Sequence, residues 1–173
     1  MIDRRAIPPH ATESTWAAPD GHRIRRIDWP GAQAAPRGSI LFLPGRGDFY
    51  EKYLETLDHW HRSGWRVTAA DWRGQAASGR LGLDPVTGHI DDFATWVNDL
   101  AAQWIEWKAA RPGPHVLIGH SMGGLLALLL CAKGLARAGV LLTPAPPSSI
   151  LDLWPMSYPV WPGLAHSGGR GYR

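Results

Sequence analysis

The sequence predicts an α/β fold, a mostly parallel sheet flanked by helices. Three observations carry that expectation. Short strand-like runs at 39–43, 66–70, 116–118 and 140–142 are bounded by Pro, Gly or Asp, and three of them are apolar on both faces, as in a parallel sheet. Between them lie stretches whose apolar residues recur at helical spacing. Strand and helix therefore alternate, the order that builds parallel strands joined by helical crossovers.

Each element follows from its residues. Residues 1–14 carry no periodicity and read as a loose lead-in. Between Trp16 and Trp29 two extended runs flank Pro19-Asp20-Gly21, a turn in which Pro presets φ and Gly accepts positive φ. Ser39-Ile40-Leu41-Phe42-Leu43 is a buried strand stopped by Pro44-Gly45. Tyr50, Tyr53, Leu54, Leu57 and Trp60 then predict a helix that ends near Gly64. Residues 66–70 form the next strand, ending at Asp71. Asp91 and Asp92 open a second helix, where carboxylates suit the dipole, and its stripe is Phe93, Val97, Leu100, Trp104 and Trp107. The tryptophans at 96, 104 and 107 fit a core stripe better than a substrate platform. Residues 116–118 are a third buried strand, 125–135 a helix apolar nearly all round and therefore buried, and 140–142 a fourth strand.

The 173 residues fit one domain, and a 45% apolar fraction suffices for a core. Eighteen Lys and Arg against fifteen Asp and Glu leave a formal charge of +3, with the basic residues scattered, which argues against nucleic-acid binding as the main task. The single cysteine, Cys131, excludes an internal disulfide framework and a thiolate zinc site. The longest apolar run, 125–132, is far short of the roughly 20 residues of a bilayer helix. A charged start followed by Pro8-Pro9 offers no signal-peptide core, so the expectation is a soluble, cytoplasmic protein.

The chemistry centres on Gly119-His120-Ser121-Met122-Gly123, which matches G-x-S-x-G. The string is weak alone; its placement between an apolar strand and an apolar helix is the setting of a nucleophile elbow. The glycines permit the sharp turn, and Ser121 is thereby pushed out at a helix N-terminus, whose dipole favours developing negative charge. The loop Pro44-Gly45-Arg46-Gly47, after the neighbouring strand, can bring the Arg46 N–H beside that of Met122, two donors for an oxyanion. Other candidates are weaker. Asp91-Asp92 read better as a helix start than as paired catalytic carboxylates. Asp71 is expected to organise its own loop with Arg73. His59 and His61, two apart, do not share a helix face. Gly45-Arg46-Gly47 lacks the rest of a dinucleotide fingerprint, and no metal-binding motif appears.

The segments Leu41-Phe42-Leu43-Pro44-Gly45-Arg46-Gly47-Asp48, Glu51-Lys52-Tyr53, Gly64-Trp65-Arg66-Val67, Asp71-Trp72-Arg73-Gly74-Gln75 and 119–124 occur in an order and spacing that resemble the α/β-hydrolase superfamily. The likeness is to the branch of monoacylglycerol lipases, lysophospholipases and serine-aminopeptidase-type hydrolases, and it covers roughly residues 20–142. Two departures are local: Pro44 stands where many members have His, and Ala76-Ala77 where a Gly-rich stretch usually precedes Ser78. The resemblance implies a partial α/β-hydrolase fold over 15–142 and a serine hydrolase acting on a small-molecule acyl ester or lipid-derived substrate. It implies Ser121 as nucleophile, Arg46 and Met122 as oxyanion donors, Gly119 and Gly123 as elbow glycines, no cofactor, no nucleic acid and no integral membrane segment. The oligomeric state stays open.

The third departure bears on mechanism. The superfamily places its acid and histidine after the serine, where this chain has only Asp152 and His166. Residues 143–173 hold six prolines and four glycines, a Pro/Gly-rich tail that need not be native family sequence. The competing expectation is thus a truncated, catalytically inactive copy that lacks the triad acid and histidine. On that reading strand 140–142 presents an open apolar edge.

Overall fold

The computed structural model describes residues 6–31 and 35–146. Its strands are β1 Thr12–Ala17, β2 Arg23–Trp29, β3 Ser39–Leu43, β4 Arg66–Ala70, β5 His115–His120 and β6 Gly139–Leu142. A 3-10 turn at Tyr50–Tyr53 leads into α1 Leu54–Arg62; α2 is Phe93–Ala109 and α3 is Met122–Ala132. The strands form one sheet in the order β1-β2-β4-β3-β5-β6. β4, β3, β5 and β6 run parallel, and β1 and β2 extend the sheet as an antiparallel hairpin that joins it at β4.

Alternation along β3 sets the two halves of the core. All five of its residues are buried. Ile40 and Phe42 face α1 and pack with Leu54, Leu57 and Val67. Leu41 and Leu43 face α2 and α3, where they meet Leu100, Trp104, Trp107, Leu126 and Leu130. The α2 tryptophans also satisfy their N–H groups: Trp96 donates to Arg73 O (2.9 Å), Trp104 to Leu135 O (2.9 Å) and Trp107 to Thr68 Oγ1 (2.8 Å). They are core residues, as the stripe predicts. Asp92 caps α2 by accepting from Ala94 N at 2.8 Å, the role expected of this carboxylate pair.

Three local expectations are corrected. β1 begins at Thr12, inside the supposed lead-in of residues 1–14, because its threonines pair residue by residue with β2 from Thr12 opposite Asp28. Such β-branched residues suit a strand without apolar alternation. α3 starts at Met122 and ends at Ala132, three residues earlier at each end than 125–135, and Gly134 at φ +71° follows it. Nor is it buried all round, since Leu128 is 38% exposed. Finally, Asp71 does not pair with Arg73. It holds Arg25 (2.8 Å) and accepts from Tyr50 N (3.1 Å), while Arg73 binds Asp20 and the buried Asp99. These partners come from β2, the turn before it, the 3-10 turn and α2, so spacing along the chain does not reveal them.

β4 flanks β3 on one side and β5 flanks it on the other, so the direction of strand addition reverses at the β3–β5 pair. In open α/β sheets the crevice at the C-terminal ends of such strands is where ligands bind.

Candidate active site

Register places two loops side by side at that crevice. Leu43 at the end of β3 pairs with Gly119 in β5, so Pro44-Gly45-Arg46-Gly47 and His120-Ser121 leave the sheet together. Ser121 adopts φ 52° and ψ −116°, outside the regions open to a residue with a Cβ. Strain of this kind persists only where surrounding contacts fix it. Here Ser121 N donates to Leu142 O (3.0 Å), and Ser121 O accepts from Leu125 N (3.1 Å) and Ala145 N (2.9 Å).

The elbow glycines are dictated by contact. A Cβ on Gly119 would lie 2.2 Å from the Gly123 oxygen, and one on Gly123 would lie 2.3 Å from Leu43 O and 2.6 Å from Pro44 O. Gly45 is less tightly confined, by side chains rather than backbone: a Cβ there would meet Asp48 Oδ2 at 2.8 Å, His120 Nδ1 at 3.2 Å and Ser121 Cβ at 3.4 Å. The structure therefore brings together the Gly45–Asp48 turn, Ser121 and the start of α3. Arg46 sits at the exposed tip of that turn. Met122 is the first residue of α3, where a backbone N–H has no partner within the helix.

Side chains that motif reading did not single out hold the turn in place. Trp72 donates its indole N–H to Pro44 O at 2.8 Å, and Gly47 N donates to Gln75 Oε1. Asp48 accepts from Tyr53 OH at 2.7 Å and pairs with Lys52. Burial works against charge on Asp48, but the hydrogen bonds from Lys52 and Tyr53 outweigh it and hold the carboxyl below its usual range. Burial, followed by Asp48, raises the Tyr53 hydroxyl well above its ordinary value, so Tyr53 keeps its proton and donates it to Asp48. The 3.0 Å contact between Tyr53 OH and His120 Nδ1 then requires Nδ1 to be the donor. That nitrogen is committed to Tyr53 and is not free to accept a proton from Ser121. Farther out, burial pushes the Asp71 carboxyl up to about 6 against the pull of Arg25. Tyr53, Trp72 and Gln75 all lie in the resemblance segments, which was the only signal of Trp72 and Gln75 in the sequence; Tyr53 also belonged to the helical stripe.

Between Met122 and Pro146 there is no Asp, Glu or His. Asp152 and His166 lie outside the described residues. Among the described residues no group of His, Cys, Asp and Glu is arranged to hold a metal, and no helix is long and apolar enough to cross a membrane.

Known proteins match this geometry. The sequence profile described as "Serine aminopeptidase, S33" matches residues 34–157, which extends past the boundary at 142. Lysophospholipase L2 of Escherichia coli is 38% identical over 97 residues, 54% of this chain and 28% of that protein. Monoacylglycerol lipase of Mycolicibacterium smegmatis is 29% identical over 116 residues, 65% of this chain and 39% of that protein. The crystal structure of an α/β hydrolase from Novosphingobium aromaticivorans superposes with a TM-score of 0.57 at 26% identity, covering 75% of this chain and 43% of that one. The chain thus spans well under half the length of these relatives.

Proposed function

The chain belongs to the serine aminopeptidase S33 family of α/β hydrolases, and on that footing we propose that it carries the nucleophile half of an acyl-ester hydrolase of the lysophospholipase or monoacylglycerol lipase type. Ser121 Oγ attacks the ester carbonyl carbon, the alcohol departs, and water releases the acyl group. The N–H groups of Arg46 and Met122 stabilise the oxyanion that forms between these steps. Gly119 and Gly123 hold the turn. The observation that carries this reading is the enforced positive φ of Ser121 at the strand reversal, wedged against the Gly45–Asp48 turn.

A second reading has its own support, namely that the described residues after Ser121 contain no acid or histidine. On that reading the 173-residue chain by itself is catalytically inactive. One experiment separates the two. The chain is incubated with a fluorophosphonate probe, mapped by peptide mass, and assayed on a p-nitrophenyl ester. Ser121 should be the labelled serine, slowly, because an unassisted hydroxyl is a weak nucleophile. Turnover barely above buffer and indifferent to Ser121→Ala supports the second reading. Saturable turnover abolished by Ser121→Ala supports the first and makes His166, or a histidine of a second chain, the base. Labelling of another serine with Ser121 untouched overturns the nucleophile assignment.

A further inference from the structure

At the opposite end of the sheet from Ser121 a cleft of about 300 Å³ is lined by Thr12, Asp28, Trp29, Arg66, Ala110 and Arg111, with Pro30 at its edge. Arg66 is the first residue of β4, level with Ser39 and His115 in the register. Six residues of β5 separate that level from Ser121, about 20 Å at the strand rise, so the cleft is remote from the elbow.

Its charges are unevenly matched. Asp28 is fully engaged: Oδ1 accepts from Arg111 Nη2 (2.5 Å) and Thr68 Oγ1 (2.6 Å), and Oδ2 pairs with Arg26 Nε (2.8 Å). Arg66, by contrast, makes no ion pair among the described residues, and its Nε is buried with no hydrogen-bond partner. The indole N–H of Trp29, a residue 1% exposed, is likewise buried without an acceptor. A buried donor left without an acceptor loses its hydration with nothing in return, and the loss is greater when the donor is charged. Two guanidinium groups in the lining, Arg66 and Arg111, against the one carboxylate of Asp28 leave an excess of one positive charge, and the planar fork of arginine suits phosphate oxygens.

We propose that this cleft is a binding site for a soluble phosphate monoester. The phosphoryl group lies on the Arg66 guanidinium, in a lining that also holds Thr12 and Arg111. The net positive lining and the unpaired Arg66 suit an anionic phosphoryl group, and the volume, at the lower end for ligand pockets, leaves room for a small organic alcohol portion. The site is independent of the reading of Ser121.

The test is a titration of the ¹⁵N-labelled 173-residue chain, observed at the Arg66 Nε–H and Trp29 indole N–H resonances. The probes are inorganic phosphate, glycerol 3-phosphate and, as the alternative source of phosphate, phosphatidylcholine vesicles containing phosphatidic acid, each against chloride at equal ionic strength. The expected result is a saturable shift of the Arg66 resonance with glycerol 3-phosphate and phosphate, a higher Tm in their presence, at least tenfold weaker binding in Arg66→Gln by calorimetry, and unchanged binding in Arg23→Gln, an exposed arginine on β2. A linear response indistinguishable from chloride, equal binding by Arg66→Gln, or binding of the vesicles alone overturns the proposal. The wild-type titration stands by itself if Arg66→Gln does not fold.

Discussion

At the seam between β3 and β5 the backbone is packed to its limit, whereas at the β6 flank large apolar side chains face outward. In the seam a single added carbon would fall 2.2–2.3 Å from a carbonyl oxygen at Gly119 or Gly123. At the flank Val140 is 45% exposed, Leu142 41% and Leu128 of α3 38%. β6 pairs only with β5 among the described residues, and Gly139-Val140-Leu141-Leu142 carries neither a charge nor a proline to discourage further pairing. The other edge is finished differently: β1 carries Glu13 and three hydroxyl side chains, and its partner β2 carries three arginines. One sheet therefore holds a region where geometry dictates residue type and a region where it does not.

The sharpest contrast is Gly123→Ala. Its Cβ would meet the backbone carbonyls of Leu43 and Pro44 at the end of β3, which cannot yield without displacing that strand from α3. We expect a loss of about 3 kcal/mol, read from the urea midpoint, together with loss of fluorophosphonate labelling at Ser121. A stable, still-labelled variant would mean that the seam is slack.

Ser121→Gly acts in the opposite direction. Relief of a backbone strain of about 1–3 kcal/mol, less the roughly 0.5–1 kcal/mol cost of ordering glycine, leaves a gain of about 1 kcal/mol. That gain corresponds to a Tm rise of about 2–4 °C for a chain of this size, measurable by calorimetry. An unchanged Tm would remove the argument from strain.

The turn beside Ser121 gives a pH dependence. Asp48 has a carboxyl pKa held below its unfolded value, so its contribution to stability is fully present above the ordinary carboxylate range and is lost as pH falls through the folded value. Denaturation midpoints followed from pH 6 down to pH 3 should therefore fall less steeply in Asp48→Asn than in the wild type. Parallel curves would show that Lys52 and Tyr53 do not favour the charged form.

The smallest stability effect belongs to the flank. Val140→Lys should change stability by within about 0.5 kcal/mol, yet it places a charge on the edge that an incoming strand would use. Size-exclusion chromatography with light scattering should show concentration-dependent association of the wild type and little in the variant. A wild type that stays monomeric at all concentrations would mean that residues after 146 close this edge.

The same contrast governs how much of the molecule is legible in its sequence. Strand and helix order, the α2 stripe and the serine turn are legible because each is written in local spacing: alternation, a 3.6-residue period, glycines flanking one serine. The clamps are not. Trp72 to Pro44, Gln75 to Gly47, Tyr53 to Asp48 and His120, and Arg25 to Asp71 join residues 5–67 positions apart, across elements that meet only once the strand order is known. The exposure of Leu128 is hidden for a related reason, since an all-apolar helix does not say which of its faces lacks a neighbour.

Both backbone groups of Ser121 are tied to residues beyond α3, its N–H to Leu142 and its C=O to Ala145. During synthesis, then, the serine leaves the ribosome before the residues that set its conformation. β3, β4 and the helix between them can assemble first, with the serine turn still free to sample ordinary backbone angles. Two of the three backbone hydrogen bonds that hold the strained geometry form only when β6 and Ala145 are in place. The backbone of Ser121 thus takes its last hydrogen bonds from residues made after α3, and the strand at the open flank supplies one of them.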